Sequence, residues 1–217
     1  MGDNAIAHVM LAASWIAWCV FHSVLIASSV TRRLRGWLGG RYAYFRLAYV
    51  LISVLTLAPL LWWQWRLPSP LIVAWTYPWT ILQWAGLVCS GIIMYLGARQ
   101  YNQRFFFGIQ QIQDHREGRN SDFSGFEEKG ILSTMRHPYY TSGILFLLFW
   151  GDISVASLIF KVIGILYLLI GAVLEEKKLV AEYGDMYRHY QRRVPMFFPL
   201  PWGKRTDHTP PSAEEND

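Results

Sequence analysis

Three uninterrupted apolar segments limit what this chain can fold into. Residues 9–30, 47–65 and 79–98 contain no charged side chain over 22, 19 and 20 positions. A helix of about 20 residues crosses the roughly 30 Å hydrocarbon core of a bilayer, because each residue adds about 1.5 Å. The three segments therefore predict membrane-spanning helices and exclude a large soluble enzyme core.

Two further apolar segments follow in the second half of the chain. Residues 137–151 form a run of 15 positions, Asp152 interrupts it, and residues 153–174 continue for 22 positions with Lys161 as the single charge. A short segment joined so tightly to a long one predicts a helical hairpin. We therefore predict an all-α polytopic membrane protein with about five transmembrane helices, the last two forming this hairpin.

The composition agrees with a membrane protein. Charged residues make up 16% of the 217 residues, against about 25% in soluble domains. The 11 Trp and 12 Tyr suit the aromatic belts of the two membrane interfaces. We predict one transmembrane domain over residues 1–202, followed by a disordered cytoplasmic tail over residues 203–217, which are polar and contain two prolines.

Most lysines and arginines lie on one side of the predicted bundle. Residues 31–46 contain five, residues 99–140 contain six and residues 175–217 contain seven, which together make 18 of the 20. The positive-inside rule places these connections in the cytoplasm. We therefore expect the N-terminus outside and the C-terminus in the cytoplasm. The net charge of +5 is explained by these loops, so no nucleic-acid partner is expected.

Candidate site residues lie on this basic side, in the two segments that flank the hairpin. Pro138 suits the first turn of a helix. Arg136 and His137 are therefore expected at a helix N-terminus, where backbone N–H groups and the helix dipole favour an anion. Arg99 belongs to the same connection. The simpler alternative is that Arg136 anchors the chain at the interface and His137 only begins the helix.

Acidic and aromatic residues come after the last apolar segment. Glu175 and Glu176 follow it directly and offer carboxylates to a cation. Tyr187 and Tyr190 are three residues apart, so they share a helical face that can pack over an adenine ring. The alternatives are a solvated charged face and an interfacial aromatic belt.

His22 is an ionisable residue inside the first apolar segment. Ionisable residues at membrane depth are functional candidates, although such a histidine can instead hydrogen-bond between helices. Cys19 and Cys89 are the only cysteines, and they cannot assemble a disulfide framework or a thiolate metal site. No metal is expected.

The candidate residues on the basic side belong to a set of four motifs. In order along the chain, the motifs are Met-Arg-His-Pro-Tyr-Tyr at residues 135–140, Leu-Glu-Glu-Lys-Lys-Leu at 174–179, Tyr-Gly-Asp-Met-Tyr-Arg-His-Tyr at 183–190 and Arg-Val-Pro at 193–195. The set resembles the C-terminal signature of the integral membrane methyltransferases, which include isoprenylcysteine carboxyl methyltransferases and phospholipid N-methyltransferases. Phe-His-Ser at 21–23, Arg-Tyr-Ala-Tyr-Phe-Arg at 41–46 and Phe-Gly-Ile-Gln-Gln at 107–111 resemble the NnrU-type and methanethiol S-methyltransferase branch.

This resemblance implies S-adenosylmethionine as the methyl donor, with S-adenosylhomocysteine as its product, in a cytoplasmic site without a Rossmann domain. The sequence is compatible, because no strand followed by Gly-x-Gly-x-x-Gly is present. By resemblance, Glu176 meets the cofactor's ammonium and Tyr187 or Tyr190 lines the nucleoside pocket. The expected cofactor-binding residues are Gly130, Ile131, Leu132, His137, Pro138, Tyr139, Tyr140, Glu175, Glu176, Tyr187 and Tyr190.

The acceptor is expected to be a small or membrane-soluble molecule, with a thiol favoured. His22 would then act as the base, and Arg136 or Arg99 would favour the thiolate. The open alternatives are carboxyl methylation of a prenylcysteine-like substrate, N-methylation of a phospholipid, and a non-enzymatic NnrU-like accessory protein. The expected partners are the acceptor and membrane lipids, in a bacterial inner membrane.

The charge distribution gives a testable topology. A fluorescent-protein or alkaline-phosphatase reporter fused after Asp217 is expected to report a cytoplasmic C-terminus, and one fused at Met1 an external N-terminus, because 18 of 20 basic residues lie on one side. Reporter activity in intact cells measures both positions. Termini on the same side would contradict this topology.

Overall fold

The computed structural model describes residues 2–119 and 128–198, and it is built almost entirely from helices. The helices are α1 (Gly2–Ile26), α2 (Ser28–Leu38), α3 (Phe45–Arg66), α4 (Trp79–Ala98), α5 (Gln103–Phe106), α6 (Ile109–Arg116), α7 (Pro138–Phe149), α8 (Val155–Tyr183) and α9 (Asp185–Arg193). There are also two 3-10 turns, Gly39–Tyr44 and Gly130–Ser133, and an antiparallel pair of strands, β1 (Leu71–Val73) and β2 (Ile153–Ser154). The all-α prediction is confirmed. The predicted domain end at residue 202 and the predicted tail lie outside the described residues.

Four segments are long and apolar enough to cross a membrane. They are Asn4–Ile26, the segment Ser28–Arg66 that contains α2 and α3, Trp79–Ala98 and Val155–Tyr183. α7 is apolar but has only 12 residues, about 18 Å of helix, so it is shorter than the hydrocarbon core. The described residues therefore form a polytopic membrane protein with four long spans and one short helix, where the sequence predicts about five spans. The expected hairpin is present as α7, β2 and α8.

The first span ends before its apolar run does. Residues 9–30 predict one helix, but Ala27 has an extended backbone (φ −61°, ψ 138°) and separates α1 from α2. α2 contains three arginines, and its Trp37 is 83% exposed. This composition is typical of an amphipathic helix that lies in the membrane interface.

α1, α3 and α8 meet at the end of the bundle opposite the Arg- and Lys-rich connections. Leu11, Trp15, Leu60 and Ala156 form a buried cluster there. The hydroxyl of Ser69, in the loop after α3, accepts a hydrogen bond from the Ala156 N–H at 2.9 Å. These contacts fix the start of α8, and they thereby set the direction in which this long helix carries its acidic residues to the other end.

α4 and α7 approach closely because small residues lie between them. A Cβ added at Gly86 would lie 2.2 Å from the ring of Phe149, and one added at Gly97 would lie 3.2 Å from Pro138. Close approach through small residues is a common way for helices to associate in membranes. The contact between Gly97 and Pro138 holds the start of α7, where the candidate site begins, against the end of α4.

Lys161 is the one charge inside the last apolar segment, and it is only 5% exposed. Its Nζ lies 3.5 Å from the carbonyl oxygens of Leu148 and Gly151, at the C-terminal end of α7. The helix dipole favours a cation at this position. The contacts explain how the segment accommodates a positive charge.

Gly86→Ala is expected to lower the melting temperature of the detergent-solubilised protein, because the new methyl group collides with the Phe149 ring. Overpacking of this kind costs about 1–3 kcal/mol. Gly91→Ala is the matched control on the same helix, since nothing lies within 4 Å of its added Cβ. Equal melting temperatures for the two variants would contradict the close contact between α4 and α7.

Candidate functional site

Backbone contacts hold the chain together at the end of the bundle where α4 and α8 finish and α7 begins, which we call the basic end. Gly184, with a φ of 59°, turns the chain from α8 into α9. After α9 the chain returns to α7, where the N–H groups of Arg136 and His137 donate to the carbonyl oxygens of Pro195 and Met196 at 3.0 and 3.1 Å. The N–H groups of Arg136 and His137 are therefore engaged by the chain itself.

The carboxylate of Glu176 is the centre of a hydrogen-bonded group at the basic end, the Glu176 network. Arg136 forms a bidentate pair with it, from Nε to Oε1 at 2.6 Å and from Nη2 to Oε2 at 2.9 Å. His137 Nε2 lies 3.0 Å from Oε1, Tyr187 donates to Oε1 at 3.1 Å, and Gln191 donates to Oε2 at 2.6 Å. The Arg136 and Glu176 side chains are only 9% and 12% exposed, so these charge-assisted hydrogen bonds are little weakened by solvent.

Arg136 also joins α7 to the end of α9. Its Nη1 donates to the carbonyl oxygens of Gln191 and Val194. The guanidinium therefore binds a carboxylate on one side and two backbone carbonyls on the other. This geometry makes Arg136 an anchor between α7, α8 and α9, while its expected role beside a thiolate stays a prediction.

Tyr187 and Tyr190 are enclosed, with 1% exposure each. The Tyr190 hydroxyl donates to the Leu132 carbonyl at 2.6 Å. Burial raises the pKa of both hydroxyls, and the negative charge of Glu176 raises that of Tyr187 further. Both hydroxyls therefore stay protonated donors at neutral pH. Their expected role at the nucleoside stays a prediction, because both rings are packed inside the chain.

Glu175 faces a second group of residues. Tyr140 donates to its Oε2 at 2.7 Å, and the Tyr140 ring lies against Gly171, where an added Cβ would be 3.0 Å away. Tyr101 stacks on Tyr139 with ring centroids 5.1 Å apart. Burial and the charge of Glu175 raise the pKa of the Tyr101 hydroxyl. Glu175 is thus bordered by aromatic side chains.

The predicted list of site residues leaves out several members of these groups. Gln103 donates to the Tyr139 hydroxyl at 2.9 Å, and the Phe106 ring lies 5.9 Å from that of Tyr139. Gln191 follows Tyr187 by four residues, so helical spacing could have found it. The residues after α4 have no such signal, because their contacts depend on how that segment folds over α7.

The turn Gly130–Ser133 brings a third predicted group to the basic end. Gly130 has a φ of 56°, a backbone conformation that favours glycine. The side-chain amide nitrogen of Gln100 lies 2.3 Å from the position that a Cβ would occupy, so a larger residue would have to displace this flexible side chain. Leu132 is buried, and its carbonyl receives the hydrogen bond from Tyr190. The turn is therefore held between the end of α4 and α9.

Arg99 lies outside the Glu176 network. It is an exposed residue at the end of α4, and its guanidinium lies 6.0 Å from the ring centroid of Tyr95 on the same helix. Among residues 2–119 and 128–198, the cations within ion-pair distance of Glu176 are Arg136 and, when protonated, His137.

An open depression of about 340 Å³ lies beside the Glu176 network. It is lined by Val173, Glu176, Lys177, Val180, Gln191 and Met196. Glu176 thus borders this depression as well as the buried side chain of Arg136.

His22 belongs to a separate group of residues, the His22 cluster, which lies between α1, α3 and α8. Its Nδ1 lies 3.0 Å from the Ser53 hydroxyl, and its Nε2 contacts the Tyr49 hydroxyl. Ser23 donates to the Tyr167 hydroxyl at 3.4 Å. The structure thus gives His22 the interhelical hydrogen bonds of the simpler alternative, and its role as a base stays a prediction.

One face of α8 connects the His22 cluster to Glu175. Tyr167, Gly171 and Glu175 are spaced four residues apart and share this face. Tyr167 contacts the His22 cluster through Ser23, and Gly171 receives the ring of Tyr140. Tyr167 and Glu175 are about 12 Å apart along the helix axis. The His22 cluster and the residues around Glu175 therefore border the same face of α8.

Comparisons with known proteins identify relatives of one kind. The chain is 32% identical to the methanethiol S-methyltransferase of Crocosphaera subtropica, over 71% of this chain and 61% of the relative. It is 30% identical to that of Mycobacterium tuberculosis, over 72% of this chain and 64% of the relative. It is also 30% identical to methanethiol S-methyltransferase 1 of Bradyrhizobium diazoefficiens, over 72% and 54%.

The aligned region spans less than two thirds of the length of these relatives. No family model matches the chain, and no solved structure is significantly similar to it. The resemblance to the methanethiol S-methyltransferase branch of the membrane methyltransferases is confirmed by the three relatives.

Glu176→Gln is expected to lower the free energy of unfolding by about 3 kcal/mol, because the variant leaves Arg136 as an uncompensated buried cation. Melting in detergent measures the loss. Glu175→Gln is the matched control, since a glutamine there still accepts the Tyr140 hydrogen bond and the variant should melt close to the wild type. Equal losses in the two variants would show that the Arg136–Glu176 pair does not support the fold.

Proposed function

We propose that this chain, a relative of the methanethiol S-methyltransferases, transfers a methyl group from S-adenosylmethionine to a small thiol. The observation that carries the proposal is the similarity to several relatives of this one name over about 71–72% of the chain. The structure supports it with two polar groups, around Glu175 and around His22, that are joined along α8. We assign the first group to the cofactor and the second to the acceptor.

The residues around Glu175 suit the parts of S-adenosylmethionine. Among the described residues, Tyr140 binds Oε2 of Glu175, which leaves Oε1 to accept an ammonium. The stacked rings of Tyr101 and Tyr139 offer a surface for a purine. In contrast, Glu176 already accepts five hydrogen bonds. We therefore assign the ammonium to Glu175 and a supporting role to Glu176, which is the reverse of the expectation from resemblance.

The remaining cofactor contacts are proposed from the same neighbourhood. His137 and Pro138 form the start of α7, and the turn from Gly130 to Leu132 is held beside the end of α4. When bound, S-adenosylmethionine supplies a methyl group on a positively charged sulfonium, which is an electrophile for a thiolate. The chain's part is to orient the reactants and exclude water, because the reaction disperses charge and needs no strong acid.

The His22 cluster suits a small thiol. An imidazole has a pKa near 6.5, whereas a simple thiol has a pKa of about 8.5 or above. A neutral histidine can therefore take the thiol proton as the thiolate forms. The cluster lies among the apolar side chains of α1 and α3, where an uncharged thiol can enter more easily than a charged acceptor.

We also propose that the basic end faces the cytoplasm of a bacterial cell, with the protein in the inner membrane. Support comes from the sequence, in which 18 of 20 basic residues belong to the connections expected on that side. The cofactor would then enter from the cytoplasm, and the acceptor would come from the membrane or through the bundle.

Calorimetry with S-adenosylhomocysteine tests the cofactor site in the purified protein. Binding is expected for the wild type, and Glu175→Gln is expected to weaken it by about 1.5–3 kcal/mol, the range for a hydrogen bond to a charged group. Glu182→Gln, at an exposed position of α8, is the matched control and should bind like the wild type. A wild type that binds no S-adenosylhomocysteine would overturn the proposed function.

Methyl transfer is measured with labelled S-adenosylmethionine and three separate acceptors, namely methanethiol, a prenylated cysteine and phosphatidylethanolamine. We expect methylation of methanethiol alone, detected as dimethyl sulfide. Methylation of the prenylated cysteine or the lipid instead would contradict the thiol assignment. Cofactor binding with no transfer to any of the three would favour a membrane accessory protein.

A further inference from the structure

The contacts of the His22 cluster allow its protons to be assigned. The Ser53 hydroxyl donates to the backbone carbonyl of Tyr49 at 2.7 Å. A serine hydroxyl has one proton to give, so at its second contact, 3.0 Å from His22 Nδ1, Ser53 accepts. The neutral imidazole of His22 therefore carries its proton on Nδ1, and Nε2 is the basic nitrogen.

The basic nitrogen of His22 is covered by a second hydroxyl. The Tyr49 hydroxyl lies 2.5 Å from Nε2 and 3.2 Å from Nδ1. Since Nε2 is the nearer nitrogen and an acceptor in this tautomer, we assign the proton of Tyr49 to this contact. Protons are thus donated from Tyr49 to His22, from His22 to Ser53, and from Ser53 back to the backbone of Tyr49.

The ring of His22 is also enclosed by aromatic side chains. Trp18 stacks on it with centroids 4.9 Å apart and 17° between the planes, and the Tyr49 ring lies 4.8 Å away. With both nitrogens bonded and one face stacked, the ring offers a substrate no basic atom unless the Tyr49 hydroxyl moves. The hydroxyl itself can still accept a hydrogen bond while it donates to His22.

We infer that the acceptor thiol meets the hydroxyl of Tyr49, and that His22 receives the thiol proton through this hydroxyl. The inference rests on the proposed function and adds Tyr49 as a catalytic residue and Ser53 as a positioning residue. As the thiol proton passes to the Tyr49 oxygen, the Tyr49 proton passes to His22 Nε2. The thiolate sulfur then bonds to the methyl carbon of the cofactor while the carbon–sulfur bond of the sulfonium breaks, and the electron pair of that bond stays with the departing thioether. The imidazolium afterwards releases its proton to solvent.

The other ionisable groups near His22 favour a transient imidazolium. Arg46, on α3, has its guanidinium 5.7 Å from the ring centroid of Tyr49. Its positive charge repels a cation that forms in the same cluster. Tyr167 on α8, with its ring centroid 6.2 Å from that of His22, and Cys19 on α1 are uncharged at neutral pH.

Arg46 also connects the His22 cluster to the aromatic residues around Glu175. It donates to the Phe106 carbonyl at 2.9 Å and lies 5.2 Å from the Phe106 ring centroid. The same ring lies 5.9 Å from that of Tyr139, in the group that borders Glu175. Phe106 therefore lies between Tyr49 and the proposed cofactor residues. This position supports a thiol held between the His22 cluster and the residues around Glu175.

Tyr49→Phe tests the inference, because it keeps the ring and removes the hydroxyl. We expect kcat for methanethiol to fall at least about 100-fold, as for loss of general-base catalysis, while affinity for S-adenosylhomocysteine stays unchanged. Tyr77→Phe is the matched control, since Tyr77 lies beyond the other end of the bundle and is 81% exposed. Ser53→Ala should lower kcat, and Ser53→Thr, which restores the hydroxyl, should recover it.

A second measurement does not depend on turnover. In protein labelled with nitrogen-15 histidine, the His22 signals are assigned by their absence from His22→Asn. At neutral pH we expect a protonated Nδ1 and an unprotonated, hydrogen-bonded Nε2, and in Tyr49→Phe the Nε2 signal should move to the position of a free acceptor.

The outcomes separate the inference from the proposed function. A wild type that methylates methanethiol while Tyr49→Phe retains turnover within about twofold would overturn the role of Tyr49, and so would a protonated Nε2 in the neutral wild type. A wild type that methylates no thiol contradicts the proposed function instead. If Tyr49→Phe does not fold, the wild-type spectrum and the Ser53 variants decide the question.

Discussion

A single buried ion pair holds together three chain segments at the basic end. Arg136 and Glu176 are 40 residues apart in sequence, and their pairing joins the start of α7 to the end of α8. Removing two charges from water costs several kcal/mol per ion, so the pair is stabilising only because its hydrogen-bonding atoms find partners. Gln191 and Tyr187 bind the carboxylate, and two carbonyls of the α9 end bind the guanidinium. The position of α9, and of the chain that returns to α7 after it, depends on this pair.

The two adjacent glutamates have different roles because of helix geometry. Neighbouring residues on an α-helix point about 100° apart, so Glu176 faces α9 while Glu175 faces Tyr140 on α7. The Glu176 carboxylate is enclosed by the fold, and the Glu175 carboxylate borders an aromatic group suited to a cofactor. The same face of α8 leads from Glu175 to Tyr167 and the His22 cluster. One helix thus positions both reactants of the proposed methyl transfer.

Much of this arrangement could be predicted from the sequence. Uncharged runs predict the long spans, because nothing else accommodates about 20 consecutive apolar residues. The charge distribution predicts that Arg136, His137 and Glu176 lie on the same side of the bundle, whereas the pairing of Arg136 with Glu176 was not predicted. The break at Ala27 was missed, because the apolar run continues through it and only the arginines beyond it favour an interfacial helix. The partners of His22 lie on another helix, and a residue's partner across a helix interface has no local signal in the chain.

The short α7 has a consequence for the membrane around the protein. Its end at Phe149 packs against Gly86, whereas α4 continues from Gly86 to Trp79, about 10 Å further. Beyond α7 the chain forms β2, which pairs with β1, and Asp152 accepts a hydrogen bond from the Trp75 N–H at 2.9 Å. Non-helical backbone at membrane depth is tolerated only where protein satisfies its N–H and C=O groups, and the strand pair does so here. The apolar helix is therefore shorter at α7 than at α4, and lipids next to a shorter apolar helix can adapt by thinning of the bilayer.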